Sequence, residues 1–224
     1  MSRYVLIPGA GGVAWYWSRV VPLLEAAGQE AVAVDLPGDD ESAGVPEYAA
    51  IAAAAAHGHD DVVLVAQSIG GFTAPAVCEQ TPVRELVFVN AMIPAPGESA
   101  GEWWGNVGSS EARVDAARAG GYPEEFDLET YFLHDVPPEV SAEGAPYQRN
   151  ETDAVFEGRC EVDRWRSVPT RVLVGADDRF FPAGFQARVA RERLGIEPDV
   201  LPGGHLIALA NPAGLAQYLL AGAT

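Results

Sequence analysis

Short, unbroken apolar runs recur along the chain at 3–8, 30–36, 61–66, 85–90 and 170–174, with a weaker one at 198–201. Each is rich in Val, Leu and Ile and lacks polar alternation, the pattern of strands buried on both faces of a parallel sheet. Between them lie stretches with helical spacing at 15–27, 47–56, 70–79, 184–194 and 212–220. In the first of these, Trp15, Arg19, Pro22 and Leu23 share one face, and the stretch stops at Gly28. Alternating strand and helix predicts an α/β fold: a doubly wound, mostly parallel sheet of about six strands with right-handed crossovers.

The rhythm breaks once. Residues 94–168 contain no buried-strand run and shift toward Gly, Pro, Glu and aromatics, among them Trp103, Trp104, Tyr131, Phe132, Phe156 and Trp165. Disordered inserts are poor in aromatics, so this stretch reads as a folded, helical insertion. It follows a strand ending at Asn90, which puts it at the carboxyl edge of the sheet, where such folds bind ligands. The expected division is a core of 1–93 and 169–224 carrying a cap of 94–168.

The residues Val65-Ala66-Gln67-Ser68-Ile69-Gly70-Gly71 place a serine between a buried strand and a helix. An exposed nucleophile on so sharp a turn needs small neighbours two residues away on each side, here Ala66 and Gly70. The same turn puts the Ile69 amide at a helix N-terminus, aimed where an oxyanion would develop. A hydroxyl needs a base, and there are four histidines. His57 and His59 sit before a strand, at the opposite edge, and read as surface residues. His134 lies in the insertion, as cap packing or a substrate contact. His205 follows the last strand in Pro202-Gly203-Gly204-His205, on the edge that carries Ser68. A carboxylate is then expected after the intervening strand, and Gly175-Ala176-Asp177-Asp178 supplies two.

Composition narrows the field. The chain has 224 residues, enough for one domain with an insertion, and 48% apolar against 21% charged residues suits a packed core. A net charge of −18 argues against nucleic acid and membrane surfaces as partners. All of the basic residues are arginine, and without lysine neither Schiff-base chemistry nor a Walker-type phosphate loop is available. Cys78 and Cys160 are too few for a disulfide scaffold and lack metal-site spacing, so they are expected as half-buried thiols in a reducing compartment. No secretion signal or membrane-length apolar run is visible, and a cytoplasmic location is expected.

These residues resemble the α/β-hydrolase superfamily over essentially the whole chain. The first strand corresponds to the family's third, so the usual leading hairpin is absent. Asp35-Leu36-Pro37-Gly38 is similar to the family's Asp-x-Pro-Gly turn. Gly175-x-x-Asp178-Arg179-Phe180-Phe181-Pro182 matches its acid loop, a register that selects Asp178 over Asp177. Two departures are Ala66 where the nucleophile motif usually has Gly, and Pro8 where a His usually precedes Gly9. The likeness is greatest to the small methylesterase and hydroxynitrile lyase branch, whose opening resembles residues 5–10, Ala14-Trp15 and Pro22-Leu23-Leu24.

The resemblance implies a cofactor-free, metal-free serine hydrolase of carboxylic esters with Ser68, Asp178 and His205 as triad. It also implies Ala10 and Ile69 as oxyanion donors, with Gly9, Trp104 and Phe132 touching a small or medium hydrophobic substrate. The expected partner is that small ester, with a homodimer left open. Three alternatives stand beside it. Gly9-Ala10-Gly11-Gly12-Val13-Ala14, with Asp35 ending the next strand, also fits a Rossmann NAD(P) fingerprint. A hydroxynitrile lyase or a non-catalytic ligand-binding relative could carry the same triad. The lyases of this branch have a Lys after the catalytic His and a Thr in the first oxyanion loop, where this chain has Leu206 and Gly9.

Overall fold

The computed structural model describes residues 1–222, so positions 223 and 224 of the expected core lie outside the described residues. Six strands form one sheet: β1 (Arg3–Ile7), β2 (Glu30–Ala33), β3 (Val62–Gln67), β4 (Glu85–Val89), β5 (Thr170–Gly175) and β6 (Asp199–Leu201). Their order is β2-β1-β3-β4-β5-β6 and every neighbouring pair is parallel. Each apolar run therefore yields a strand. β2 stops at Ala33 rather than Leu36, although Val34 still donates its amide to the Leu6 carbonyl at 3.1 Å.

Side chains along each strand alternate between two cores. Val5, Ile7, Leu64, Ala66 and Phe88 face one layer; Tyr4, Leu6, Val63, Val65 and Val87 face the other. The first layer holds α2 (Val45–Ala56), α3 (Gly70–Gln80) and α8 (Ala183–Leu194). Buried Ala49, Ala52 and Ala56 recur on one face of α2, where their small side chains suit close packing. The second layer holds α1 (Val21–Ala26), α9 (Ile207–Ala210) and α10 (Pro212–Ala221).

The stretch expected as one helix over 15–27 is two pieces, a 3₁₀ turn at Ala14–Trp17 and then α1. Pro22 explains the break: its ring would collide with the Ser18 carbonyl in a continuous helix but fits the first turn of a new one. Between β4 and β5 the chain forms α4 (Ala100–Val107), α5 (Ser109–Gly120), α6 (Pro138–Gly144) and α7 (Ala154–Glu157), with a π turn at Glu129–Leu133. This insertion is anchored to α8 by a buried ion pair of Glu98 with Arg193, whose Nη2 lies 2.8 Å from Oε1. Cys78 and Cys160 are free thiols, both fully buried rather than half-buried. No helix among the described residues is long and apolar enough to cross a membrane.

Strand order reverses between β1 and β3, which leaves a crevice beyond their carboxyl ends. The loops after β1, β3, β5 and β6 all open there.

Candidate active site

Ser68 follows β3 with φ of +52°, a conformation that side-chain-bearing residues rarely adopt. The turn is held by Met92, whose amide donates to the Ser68 carbonyl at 3.0 Å. It also needs glycine behind it: a Cβ on Gly71 would sit 1.9 Å from the Met92 carbonyl, and one on Gly70 2.7 Å from that of Pro8. The small residues after Ser68 are thus required by backbone packed against α3.

The loops after β5 and β6 are bonded to each other. Ala176 donates to the Leu201 carbonyl at 2.8 Å, Asp177 to that of Gly203 at 3.0 Å, and Gly203 donates back to Asp177 Oδ2 at 3.1 Å. This pairing carries His205 to Ser68. His205 Nε2 lies 3.1 Å from Ser68 Oγ, and Nδ1 lies 2.9 Å from Asp178 Oδ2. Asp178 is held in place by the amides of Phe180 and Phe181, which donate to Oδ1 at 2.9 and 2.8 Å, and by Gln186 Nε2 on Oδ2 at 3.1 Å. His205 and Asp178 are 1% and 4% exposed, so their contact is shielded from bulk water. Asp177 is exposed and turned away.

The Ala10 and Ile69 amides donate to no other group among the described residues. Gly9, Trp104 and Phe132 line one cavity of about 640 Å³ with Ser68 and His205. Its walls are mainly apolar: Phe180, Phe156, Met92, Trp15 and Leu209 contribute, and Leu206 joins them. Phe132 also stacks on the His205 ring. The remaining histidines stay apart from Ser68. His57 is exposed, and His59 faces Glu30 at 3.5 Å. His134 packs behind the His205 loop, where neither ring nitrogen has a hydrogen-bond partner.

Several residues at this site carried no signal in the reading of the chain. Gln67 lines the cavity and donates from Nε2 to the His205 carbonyl at 3.3 Å. Asn90, fully buried at φ +47°, accepts the Gly175 amide at 2.6 Å and donates to the carbonyls of Gly204 and His205 at 2.9 and 3.2 Å. An asparagine at the end of a buried strand is the one available hint, since Asn tolerates this conformation better than most residues. Nothing local marks Gln186, or Glu151, which reaches the glycine loop from the insertion.

The dinucleotide alternative meets specific obstacles. The Gly11 amide, which would face a pyrophosphate, donates to Glu151 Oε2 at 2.7 Å, so a carboxylate occupies the anion's place. Asp35, the would-be ribose ligand, accepts from Ala14 N at 3.0 Å and pairs with Arg149 at 2.8 Å. Among the described residues no group of three His, Cys, Asp or Glu side chains is arranged to hold a metal ion.

Comparison with known proteins agrees with this fold. Norfluorocurarine synthase 1 of Strychnos nux-vomica is 32% identical over 97% of this chain and 94% of its own. Methylesterase 9 of Arabidopsis thaliana is 28% identical over 67% of this chain and 60% of its own. The crystal structure of polyneuridine aldehyde esterase superposes with a TM-score of 0.83 at 21% identity, each chain covered completely. The family model described as "Alpha/beta hydrolase family" matches residues 4–218. The chain belongs to the α/β-hydrolase family.

Proposed function

We propose that the chain is a serine hydrolase of carboxylic esters with small to medium hydrophobic substituents. The observation that carries this reading is the Ser68–His205–Asp178 chain of contacts, at 3.1 and 2.9 Å, opening into a largely apolar cavity. Ser68 Oγ attacks the ester carbonyl while His205 Nε2 takes its proton. Asp178 keeps the imidazole in the tautomer that can do so and stabilises the imidazolium. The carbonyl oxygen, now an alkoxide, receives the Ala10 and Ile69 amides; losing one such donor costs about 3 kcal/mol of barrier. His205 returns the proton to the departing alcohol, and a water deprotonated by His205 then releases the acid and restores Ser68.

The leaving oxygen has to come within reach of His205 Nε2. Because Phe132 and Phe180 pack on that ring, the alcohol side of the substrate meets aromatic surface. The insertion acts as a cap that keeps bulk water from the acyl-enzyme. The likeness to Methylesterase 9 supports the same reaction class.

The test is a panel of methyl and short-chain esters together with a serine-directed phosphonate. Turnover and single-site labelling at Ser68 are expected, and Ser68→Ala should lose both while keeping its melting temperature. Full ester turnover in that variant would refute the mechanism. Absence of turnover in the native protein, with tight binding of an ester, would instead mark a non-catalytic receptor.

A further inference from the structure

Residues 149–152 of the insertion lie across the glycine loop that follows β1. That loop closes on itself through Gly12 N, which donates to the Gly9 carbonyl at 3.0 Å, but Gly11 and Gly12 both have positive φ. Glycine at such positions leaves many conformations open, so a loop of this composition needs outside ties to hold one shape. The insertion provides them. Arg149 Nη2 donates to the Gly12 carbonyl at 3.2 Å, and Thr152 N donates at 2.9 Å to the carbonyl of Gly38, a residue of the turn after β2 that packs on the Gly11 backbone. A Cβ on Gly11 would lie 2.6 Å from the Arg149 carbonyl, so the two backbones touch.

Glu151 makes the central tie. Its Oε2 accepts the Gly11 amide at 2.7 Å, and its Oε1 accepts the Tyr48 hydroxyl at 2.6 Å. Burial pushes its carboxyl above the ordinary range, against the two donors that favour the charged form. Arg149 does not neutralise it by direct contact, because that guanidinium is turned to Asp35. A carboxylate in a cavity wall is costly where an apolar side chain would exclude water as well. Its placement on a backbone amide beside Ala10 has a different use.

We propose that Glu151 is the positioning residue of the oxyanion loop. By holding the Gly11 N–H it sets the peptide next to the Ala10 amide, so the insertion builds half of the oxyanion hole as well as roofing the cavity. This rests on the reading of Ala10 as an oxyanion donor.

The experiment uses the full chain with Glu151→Leu and Glu151→Gln. It measures kcat, KM, melting temperature and the affinity of a trifluoromethyl ketone, which forms a hemiketal oxyanion on the serine. Glu151→Leu should lower kcat and ketone affinity in parallel, by about 10- to 100-fold, while KM stays within about threefold. Glu151→Gln should recover most of that loss, because Oε1 can still accept from Gly11 while Nε2 donates to the Tyr48 hydroxyl. Should Glu151→Leu fail to fold, Tyr48→Phe is the second variant, with the same parallel loss at about 3- to 10-fold. Unchanged kcat and ketone affinity in the folded variants overturns the proposal. So does a loss confined to KM, which would make Glu151 a substrate contact. Ester turnover that survives Ser68→Ala would instead defeat the underlying hydrolase reading, so the two failures are separable.

Discussion

Phe132 stacks on the imidazole of His205, with ring centroids 4.8 Å apart and planes 18° from parallel. Phe180 and Phe181 meet the same imidazole edge-on, at 5.1 and 5.2 Å. A side chain of the insertion thus touches the proposed general base itself as well as lining the cavity. An aromatic face favours a cation by about 0.5–1 kcal/mol, and in the proposed mechanism imidazolium forms in both acyl transfer steps. Phe132→Leu is expected to slow hydrolysis about two- to fivefold, for aliphatic and aromatic esters alike. A loss confined to aromatic esters would reduce Phe132 to a pocket wall.

Asp178 and Asp177 are adjacent in sequence and differ in everything else. Asp178 meets His205, whereas Asp177 is exposed and accepts only from Gly203 on its side chain. Asp178→Asn should cut the acylation rate by orders of magnitude, about 10⁴ for the equivalent change in a serine protease. Asp177→Asn should cost less than about tenfold, since one backbone hydrogen bond is at stake. Pre-steady-state release of nitrophenol measures both, and a reversed order would move the acid by one position.

Asn90 ties the acid loop to the base loop through Gly175, Gly204 and His205. Asn90→Gly keeps the positive φ accessible but removes every one of these bonds. A stability loss of about 2–4 kcal/mol is expected in denaturant titrations, along with a lower kcat. Native-like stability in that variant would show that the loop contacts suffice without it.

Burial pushes the Cys78 thiol up to about 12, and it raises Cys160 as well. Thiolate is the reactive form, so at pH 8 neither cysteine of the folded protein should be alkylated by iodoacetamide. Mass spectrometry should find both labelled only in denaturant, with ester turnover untouched in the native sample. Rapid native labelling accompanied by inactivation would place a cysteine at the site.

Hydrolysis and cyanohydrin cleavage separate at two positions. Leu206 lines the cavity and brings no positive charge for departing cyanide, and the chain has no lysine to supply one. A Cβ on Gly9 would fall 2.3 Å from Gln67 Oε1 and 2.8 Å from Ser68 Cβ, so a threonine is not accommodated without displacing both. Arg179 does not take the missing lysine's place, since its guanidinium lies on the Tyr122 ring and donates to the Thr130 carbonyl. Mandelonitrile should release cyanide no faster with the protein than in buffer. Release well above that rate, lost in Ser68→Ala, would make the enzyme a lyase on the same fold.

Local chemistry in the sequence determined the strands, the elbow at Ser68 and the loops that bear Asp178 and His205. Apolar runs, small residues beside a turn and glycines before a histidine act over a few neighbouring positions, and parallel topology then brings strand ends together. The split at Pro22 was missed, because helical spacing across 15–27 outweighed the equally local signal of a proline inside it. Only the tertiary structure decided what holds those groups. Gln186 reaches Asp178 across the turn into α8, Asn90 spans two loops, and Glu151 meets Gly11 across 140 residues of chain. Such bonds depend on where a side chain lands after the layers pack, and no short stretch of sequence encodes that position. The cavity is decided in the same way, because its aromatic walls come from the insertion and the sheet edge together.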